Sequence, residues 1–193
     1  MPLSRRAFLR ATSGVVVVTA ASSFAIPAFA KVASPALIGV KDKACRTLVV
    51  ECLRSGERLT ADYWVEGRYV DGEMARINEA LRDVRTGEVH AIDPKLLDLV
   101  HRLGRDVDAR SGIQVISGYR SPATNAMLNK TSSAVAEKSL HMKGQAVDLL
   151  VPGRRLAQVH DAALKLGLGG VGYYPKSNFV HVDTGRVRRW TGS

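Results

Sequence analysis

The chain has 193 residues, of which 46% are hydrophobic and 24% charged, and its formal net charge is +10. This length suits one domain with a substantial core. No segment after residue 30 is apolar enough to span a bilayer, which excludes an integral membrane protein once that first segment is removed.

Residues 1–30 have the pattern of an export signal. Arg5 and Arg6 precede an uncharged stretch that ends in Ala28-Phe29-Ala30, a small-x-small cleavage site. The paired arginines predict a twin-arginine signal, which delivers folded proteins. Pro27 and the cleavage site argue against the alternative, an N-terminal membrane anchor. We therefore expect the mature protein in the periplasm.

Cleavage after residue 30 leaves 163 residues, with a leader over 31–45 and one domain over 46–193. Of the 28 basic residues, 25 then remain against 18 acidic ones, so the net charge is about +7. Export argues against nucleic acid as a partner. A basic exported domain suits an anionic polymer, such as cell-wall glycan with peptide carboxylates, or lipid headgroups. The alternative is a charge that only keeps the surface soluble.

The first part of the domain is predicted to be a β-meander. Residues 46–53 and 58–65 form two strands around a Ser55-Gly56 turn, and a short third strand follows over 68–70. Tyr63 and Trp64 are expected to pack in the core rather than to stack on a substrate.

Two cysteines, Cys45 and Cys52, lie in or beside the first strand. An oxidising compartment permits a disulfide, but by parity the two side chains point to opposite faces of one strand. We therefore expect both thiols to stay free, with no role as nucleophile or metal ligand.

Helices are predicted where apolar residues recur at helical spacing. The first covers residues 73–85, and the second begins with Asp93 as N-cap and Pro94 at the first position. Two more cover residues 121–128 and 154–166. The histidines on or near these segments are expected to be packed or surface residues: His90, His101 and His160.

Strands are predicted over residues 113–117, 145–151, 171–174 and 178–183, and a mobile loop over 131–139. The resulting fold class is α+β, with a small antiparallel sheet that carries the functional site and helices packed on one side.

A zinc site is the strongest functional signal in the sequence. His141 and Asp148 are seven residues apart, as on a loop that runs into a strand, and His181 lies in a later apolar run. Two imidazoles and one carboxylate fill three positions of tetrahedral Zn²⁺ and leave the fourth open for water, as a catalytic site requires. Gly144 and Ala146 supply small residues where the backbone must turn and pack closely.

The ordered motifs resemble a known family. Ser139-Leu140-His141-Met142-Lys143-Gly144-Gln145-Ala146-Val147-Asp148, followed by His181-Val182-Asp183, is similar to the signature of the D-Ala-D-Ala zinc metallopeptidases, which include VanX and the Hedgehog-like peptidase fold. With Ser117-Gly118-Tyr119-Arg120-Ser121, the chain most closely resembles the YcbK-type periplasmic murein endopeptidases. This resemblance implies a zinc-dependent peptidoglycan endopeptidase that cleaves peptide cross-links of the cell wall, at D-configured or meso-diaminopimelate centres.

The resemblance also implies roles for residues beyond the ligands. Arg120 would stabilise the oxyanion or hold a substrate carboxylate. VanX-like members carry a carboxylate three residues before the last zinc histidine, but that position is Asn178 here. Asp183 is the leading substitute as general base, and its rival role is to orient a zinc histidine. Glu137 is a further candidate for the base.

Two other functions remain open at this point. The first is a D,D-carboxypeptidase or dipeptidase. The second is a non-catalytic wall-binding module that keeps zinc for stability, which the missing upstream carboxylate favours.

Overall fold

The computed structural model describes residues 45–131 and 135–192. The predicted export signal and nearly all of the predicted leader lie outside the described residues, as does part of the loop predicted over 131–139. Among the described residues, no helix is long and apolar enough to cross a membrane.

The core of the fold is one sheet of eight strands. The strands are β1 (Cys45–Cys52), β2 (Glu57–Val65), β3 (Arg68–Tyr69), β4 (Ile113–Ser117), β5 (Ala146–Leu150), β6 (Gly170–Tyr174), β7 (Phe179–Asp183) and β8 (Arg188–Thr191). Their order in the sheet is β3-β2-β1-β4-β5-β7-β6-β8.

The α+β class is confirmed, but the prediction of a small antiparallel sheet is wrong. β1 pairs with β4 in parallel, and so does β6 with β8. A parallel pair needs a long connection between its strands, and the segment from β2 to the end of the second helix supplies it for β1 and β4. Sequence periodicity does not show which distant strands pair, and so the mixed sheet was missed.

The predicted hairpin is confirmed, with β1 and β2 antiparallel from Cys45↔Val65 to Cys52↔Glu57. Both cysteines are free, as expected. The buried Cys52 thiol donates to the carbonyl of Ala80 at 3.1 Å. Tyr63 is fully buried, and Trp64 packs under the guanidinium of Arg46, so both aromatics are packing residues.

Four α-helices accompany the sheet: α1 (Asp71–Ala80), α2 (Pro94–Asp106), α3 (Pro122–Thr131) and α4 (Leu156–Leu166). The carboxylate of Asp93 caps α2 by accepting from the backbone N–H of Lys95 at 2.9 Å, as predicted. Apolar residues of α2 and α4 face the sheet, where Leu96, Leu97, Leu103 and Val159 are fully or almost fully buried.

The first helix ends five residues earlier than predicted, and it begins two residues earlier. It ends at Ala80 because the following segment makes tertiary hydrogen bonds instead of helical ones. The carbonyl of Leu81 accepts from the N–H of Tyr119, and the carboxylate of Asp83 accepts from the N–H groups of Arg85 and Ser121. The bonds from Tyr119 and Ser121 are long-range and hold the segment after α1 beside the start of α3.

The remaining histidines pack against aromatic rings, as expected. His90 stacks on Tyr119, and the ring centroids are 4.6 Å apart. His101 lies edge-on to Tyr63, and His160 lies 4.9 Å from the ring of Tyr173.

Candidate metal centre

Three side chains converge at the centre of the sheet. Asp148 on β5 and His181 on β7 are direct partners across antiparallel strands. His141 lies on a short 3₁₀ helix, Leu140–Lys143, that leads into β5. One ligand atom from each residue lies within 4.8 Å of the other two, and all three residues are buried.

The local sequence explains how His141 reaches this position. Ser139 caps the 3₁₀ helix by accepting from the N–H of His141, and Gly144 ends it in the left-handed conformation with φ 63°. A side chain on Gly144 would also collide with the carbonyl of Ala91, so glycine is needed for both backbone shape and space. The carbonyl of Gly144 accepts from the N–H of Asp93, which joins this turn to the start of α2.

The inward atoms have the arrangement of a cation site. His181 Nδ1 lies 2.8 Å from Asp148 Oδ1, and His141 Nε2 lies 3.3 Å from the same oxygen. The two inward nitrogens are 3.2 Å apart.

The outward nitrogen of each imidazole already has an acceptor. His141 Nδ1 lies 2.8 Å from the carbonyl of Gly118, and His181 Nε2 lies 3.0 Å from the carboxylate of Asp183. Protons on those outward nitrogens leave the inward ones with free lone pairs. Two lone pairs and a carboxylate that meet in a buried space repel one another unless a cation lies between them, so these residues fit a bound metal ion.

The pKa shifts follow from this crowding. Burial lowers the pKa of His141, and Asp148 only partly offsets it. Burial also opposes the charge of Asp148, but contacts with His141 and His181 outweigh it and hold that pKa well below its usual range. For His181, burial is outweighed by hydrogen bonds with Asp148 and Asp183, and its pKa is raised.

Arg120 lies beside the cluster, at the end of β4. Its Nη2 is 3.5 Å from Asp148 Oδ2, and only 11% of its side chain is exposed. Weak contacts at 3.4 Å to Asn125 and Ser117 hold the rest of the guanidinium. Burial, with smaller contributions from nearby arginines, lowers its pKa below its usual value.

Asp183 is fully buried, and both of its carboxylate oxygens accept hydrogen bonds. Oδ2 lies 3.0 Å from His181 Nε2 and accepts from Arg188 Nη2 at 2.7 Å. Oδ1 accepts from Arg188 Nη1 at 3.0 Å and from the N–H groups of Gly170 and Gly185. Burial alone would raise the pKa of Asp183, but these hydrogen bonds outweigh it and lower the pKa strongly. A carboxylate so occupied has little capacity to accept a proton.

Sequence reasoning missed the residues of β8. The last strand predicted from the sequence covers residues 178–183, and no element was predicted for the basic residues that follow it. In the fold, β8 pairs with β6 and brings Arg188 to Asp183. It also brings the ring of Trp190 to 5.2 Å from the ring of His181, over Gly172, where any side chain would collide with the indole.

Two further positions bear on the general base: Asn178, which replaces the carboxylate of VanX-like members, and Glu137. Asn178 has a positive φ of 55° in the turn between β6 and β7, a conformation that asparagine tolerates. Glu137 is exposed, and its carbonyl and that of Ala136 each accept from the side-chain amide of Asn125 at 3.1 Å. Because Asn125 also contacts Arg120, the backbone of Glu137 is tied to the residues beside the candidate ligands.

A buried His-Asp-His cluster with an adjacent arginine, built on a mixed α+β sheet, is the kind of site that a metallopeptidase needs. Comparison with known proteins agrees. The model of an M15 peptidase family, described as Peptidoglycan L,D-endopeptidase MepK, matches residues 40–190. The chain belongs to this family and is a peptidase.

Curated relatives cover almost the whole chain. The chain is 40% identical to the Peptidoglycan L,D-endopeptidase MepK of Escherichia coli strain K12. The alignment covers 187 residues, 97% of each protein. The same figures hold for the protein of that name from Shigella flexneri. A Probable peptidoglycan L,D-endopeptidase MepK from Haemophilus influenzae is 40% identical over 148 residues, which is 76% of this chain and 80% of the relative. No solved structure matches the chain.

Proposed function

We propose that the protein is a zinc-dependent endopeptidase that hydrolyses peptide cross-links of peptidoglycan, at bonds between an L-configured acyl group and a D-configured amine. The observation that carries this proposal is the convergence of three buried ligand atoms in which both imidazoles have their outward nitrogens occupied. The names of the relatives supply the substrate and the type of bond.

His141 Nε2, Asp148 and His181 Nδ1 would hold the ion on the sheet. When bound, zinc activates a water molecule and polarises the scissile carbonyl. The donor set favours zinc, since imidazole suits this metal and three protein ligands leave a position open for catalysis.

We assign Arg120 to the developing negative charge. Its guanidinium is largely buried, it contacts Asp148, and its remaining contacts are long, so its donors stay available to a substrate oxygen. A planar fork of donors in a water-poor site stabilises an oxyanion strongly.

For Asp183 we propose the orienting role and not that of the base. Its bonds to Arg188 and to two backbone N–H groups keep it ionised and fixed, so it can hold the proton of His181 on Nε2. We assign the general base to Glu137, the remaining carboxylate among the candidates from the sequence. Its side chain is exposed, and its backbone carbonyl accepts from Asn125, which also contacts Arg120.

The same proposal includes the place of action. Residues 1–30 would direct export by the twin-arginine route and be removed, residues 31–45 would form a leader, and the peptidase domain would act in the periplasm. A basic mature chain suits the anionic wall.

The test is digestion of purified sacculi by the mature protein, with analysis of the muropeptides released. We expect dimers joined through L,D bonds to disappear, activity to stop after chelation, and one equivalent of zinc to restore it. Release of terminal D-alanine without loss of dimers would indicate a carboxypeptidase instead. Tight binding to sacculi without any cleavage in the zinc-loaded protein would indicate a wall-binding module.

A further inference from the structure

A cleft of about 180 Å³ opens beside the candidate metal ligand Asp148. Four arginines line it: Arg54 after β1, Arg82 and Arg85 after α1, and Arg120 after β4. Three segments far apart in the sequence therefore place guanidinium groups around one small space.

Two of these arginines, Arg54 and Arg85, have no acidic partner in the part of the chain that the structure describes. Arg54 donates from Nε to the carbonyl of Ile116 at 2.9 Å and is otherwise exposed. Within residues 45–131 and 135–192, neither Arg54 nor Arg85 forms an ion pair with a carboxylate. The neighbouring Arg82 differs, since its guanidinium makes a bidentate pair with Glu57 at 2.9 and 3.0 Å.

The unpaired charges also act on one another. Arg54, Arg85 and Arg120 line the same small cleft, so their positive charges repel one another. Asp148, the carboxylate that Arg120 contacts, is already engaged by two histidines. Like charges held together in this way are compensated when an anion binds between them.

The rest of the lining is mixed, with the carboxylates of Asp83 and Asp148 and several neutral polar groups beside an apolar stretch. Val84, Leu128 and Phe179 contribute to the wall, and Val84 is 42% exposed although it lies next to the buried Asp83. A space with one apolar stretch of wall and several guanidinium donors suits a ligand with a short aliphatic stem that carries a carboxylate.

The segment that carries Arg85 is held in place before any ligand arrives. Asp83 fastens it by accepting from the N–H groups of Arg85 and Ser121, each at 2.9 Å. A further bond closes the turn, from the N–H of Gly87 to the carbonyl of Asp83 at 2.7 Å. A fixed backbone lowers the entropy lost when Arg85 binds an anion.

We propose that Arg54 and Arg85 form a subsite for a carboxylate of the substrate. The subsite would select cross-links in which an amino acid next to the scissile amide carries a free carboxylate at the end of an aliphatic side chain. The inference rests on the proposed endopeptidase function and adds a specificity determinant to it. Arg120 serves the reacting carbonyl, while Arg54 and Arg85 hold the substrate by a charge that takes no part in the reaction.

The experiment compares two muropeptide dimers with the zinc-loaded mature protein. One dimer carries free side-chain carboxylates at the cross-linked residues, and in the other these groups are amidated. Variants Arg54→Gln and Arg85→Gln are tested beside Arg68→Gln. This control removes the same charge from an exposed arginine of β3, at the far edge of the sheet.

We expect the wild type to prefer the free carboxylates. Each cleft variant should raise KM for the free dimer about tenfold, with little change in kcat, since one charged hydrogen-bond partner is lost at a partly exposed site. The amidated dimer should be affected much less, and Arg68→Gln should behave as wild type. Arg85→Lys should recover only part of the preference, because an ammonium lacks the bidentate fork.

Calorimetric binding of both dimers to the metal-depleted protein separates this subsite from the peptidase function. If cleavage proceeds but the cleft variants keep the wild-type preference, the subsite is refuted and the peptidase function stands. If the wild type binds the free dimer through Arg54 and Arg85 without cleaving it, the subsite stands and the peptidase function falls. A wild type that neither binds nor cleaves either dimer overturns both.

Discussion

Asp183→Asn distinguishes a residue that orients His181 from one that moves a proton. Oδ1 accepts from Gly170, Gly185 and Arg188, and an amide oxygen can keep those three bonds. The amide NH₂ then falls where Oδ2 was, and faces two donors, His181 Nε2–H and Arg188 Nη2. The proton of His181 is therefore driven to Nδ1, the nitrogen that faces the other candidate ligands.

The size of the effect follows from that loss. Removing the partner that orients a ligand histidine weakens metal binding by about 10- to 100-fold, which is about 1.4–2.8 kcal/mol. The protein should also unfold more easily, because breaking a buried charge pair costs about 3–5 kcal/mol. The lower end applies here, since 32% of the Arg188 side chain is exposed.

The assay is activity against free zinc, set by a buffered chelator, with zinc affinity measured in parallel. We expect the variant to need 10–100 times more zinc and then to approach the wild-type rate. Asp161→Asn, an exposed carboxylate on α4, is the control and should change neither quantity. Normal zinc affinity with a rate that stays 10²- to 10⁴-fold low at saturation would refute the orienting role and identify Asp183 as the base. Glu137→Gln should show that second pattern instead.

Three further results are expected. Replacing His141, Asp148 or His181 by alanine should each abolish stoichiometric zinc and activity, and full zinc content in one variant would remove that residue from the ligand set. Arg120→Lys should keep zinc but lose about 10²–10³ in kcat, because it loses the planar donor pair; near-normal turnover would make Arg120 structural. Asp83 has a pKa lowered to about 2, because hydrogen bonds from Ser121, Thr124 and Arg85 outweigh its burial. Its folded pKa lies below the unfolded one, so about 2 kcal/mol of stability is present above pH 4 and lost as the pH falls towards 2. Urea unfolding of Asp83→Asn should show a correspondingly shallower acid dependence, and a profile parallel to the wild type would contradict this.

Features that depend on a few neighbouring residues were predictable from the sequence. Asp93 and Pro94 mark the start of α2 because capping chemistry is local, and the turn after Ser55 joins two strands of matching alternation. The candidate ligands were identifiable for the same reason. The residue types that bind zinc are few, and their spacing around Gly144 specifies a turn that leads into a buried strand.

Only the tertiary structure decided which distant segments meet. The parallel pairs β1–β4 and β6–β8 depend on the order of strands in the sheet, which no local pattern encodes. Arg188 became the partner of Asp183 because β8 pairs with β6, and the charge of that segment alone resembled a solvated surface. The cleft shared by Arg54, Arg85 and Arg120 arises in the same way. The sequence gives the type of each side chain, but long-range packing sets its partners and its exposure. The partners and the exposure then determine what a charged side chain can do.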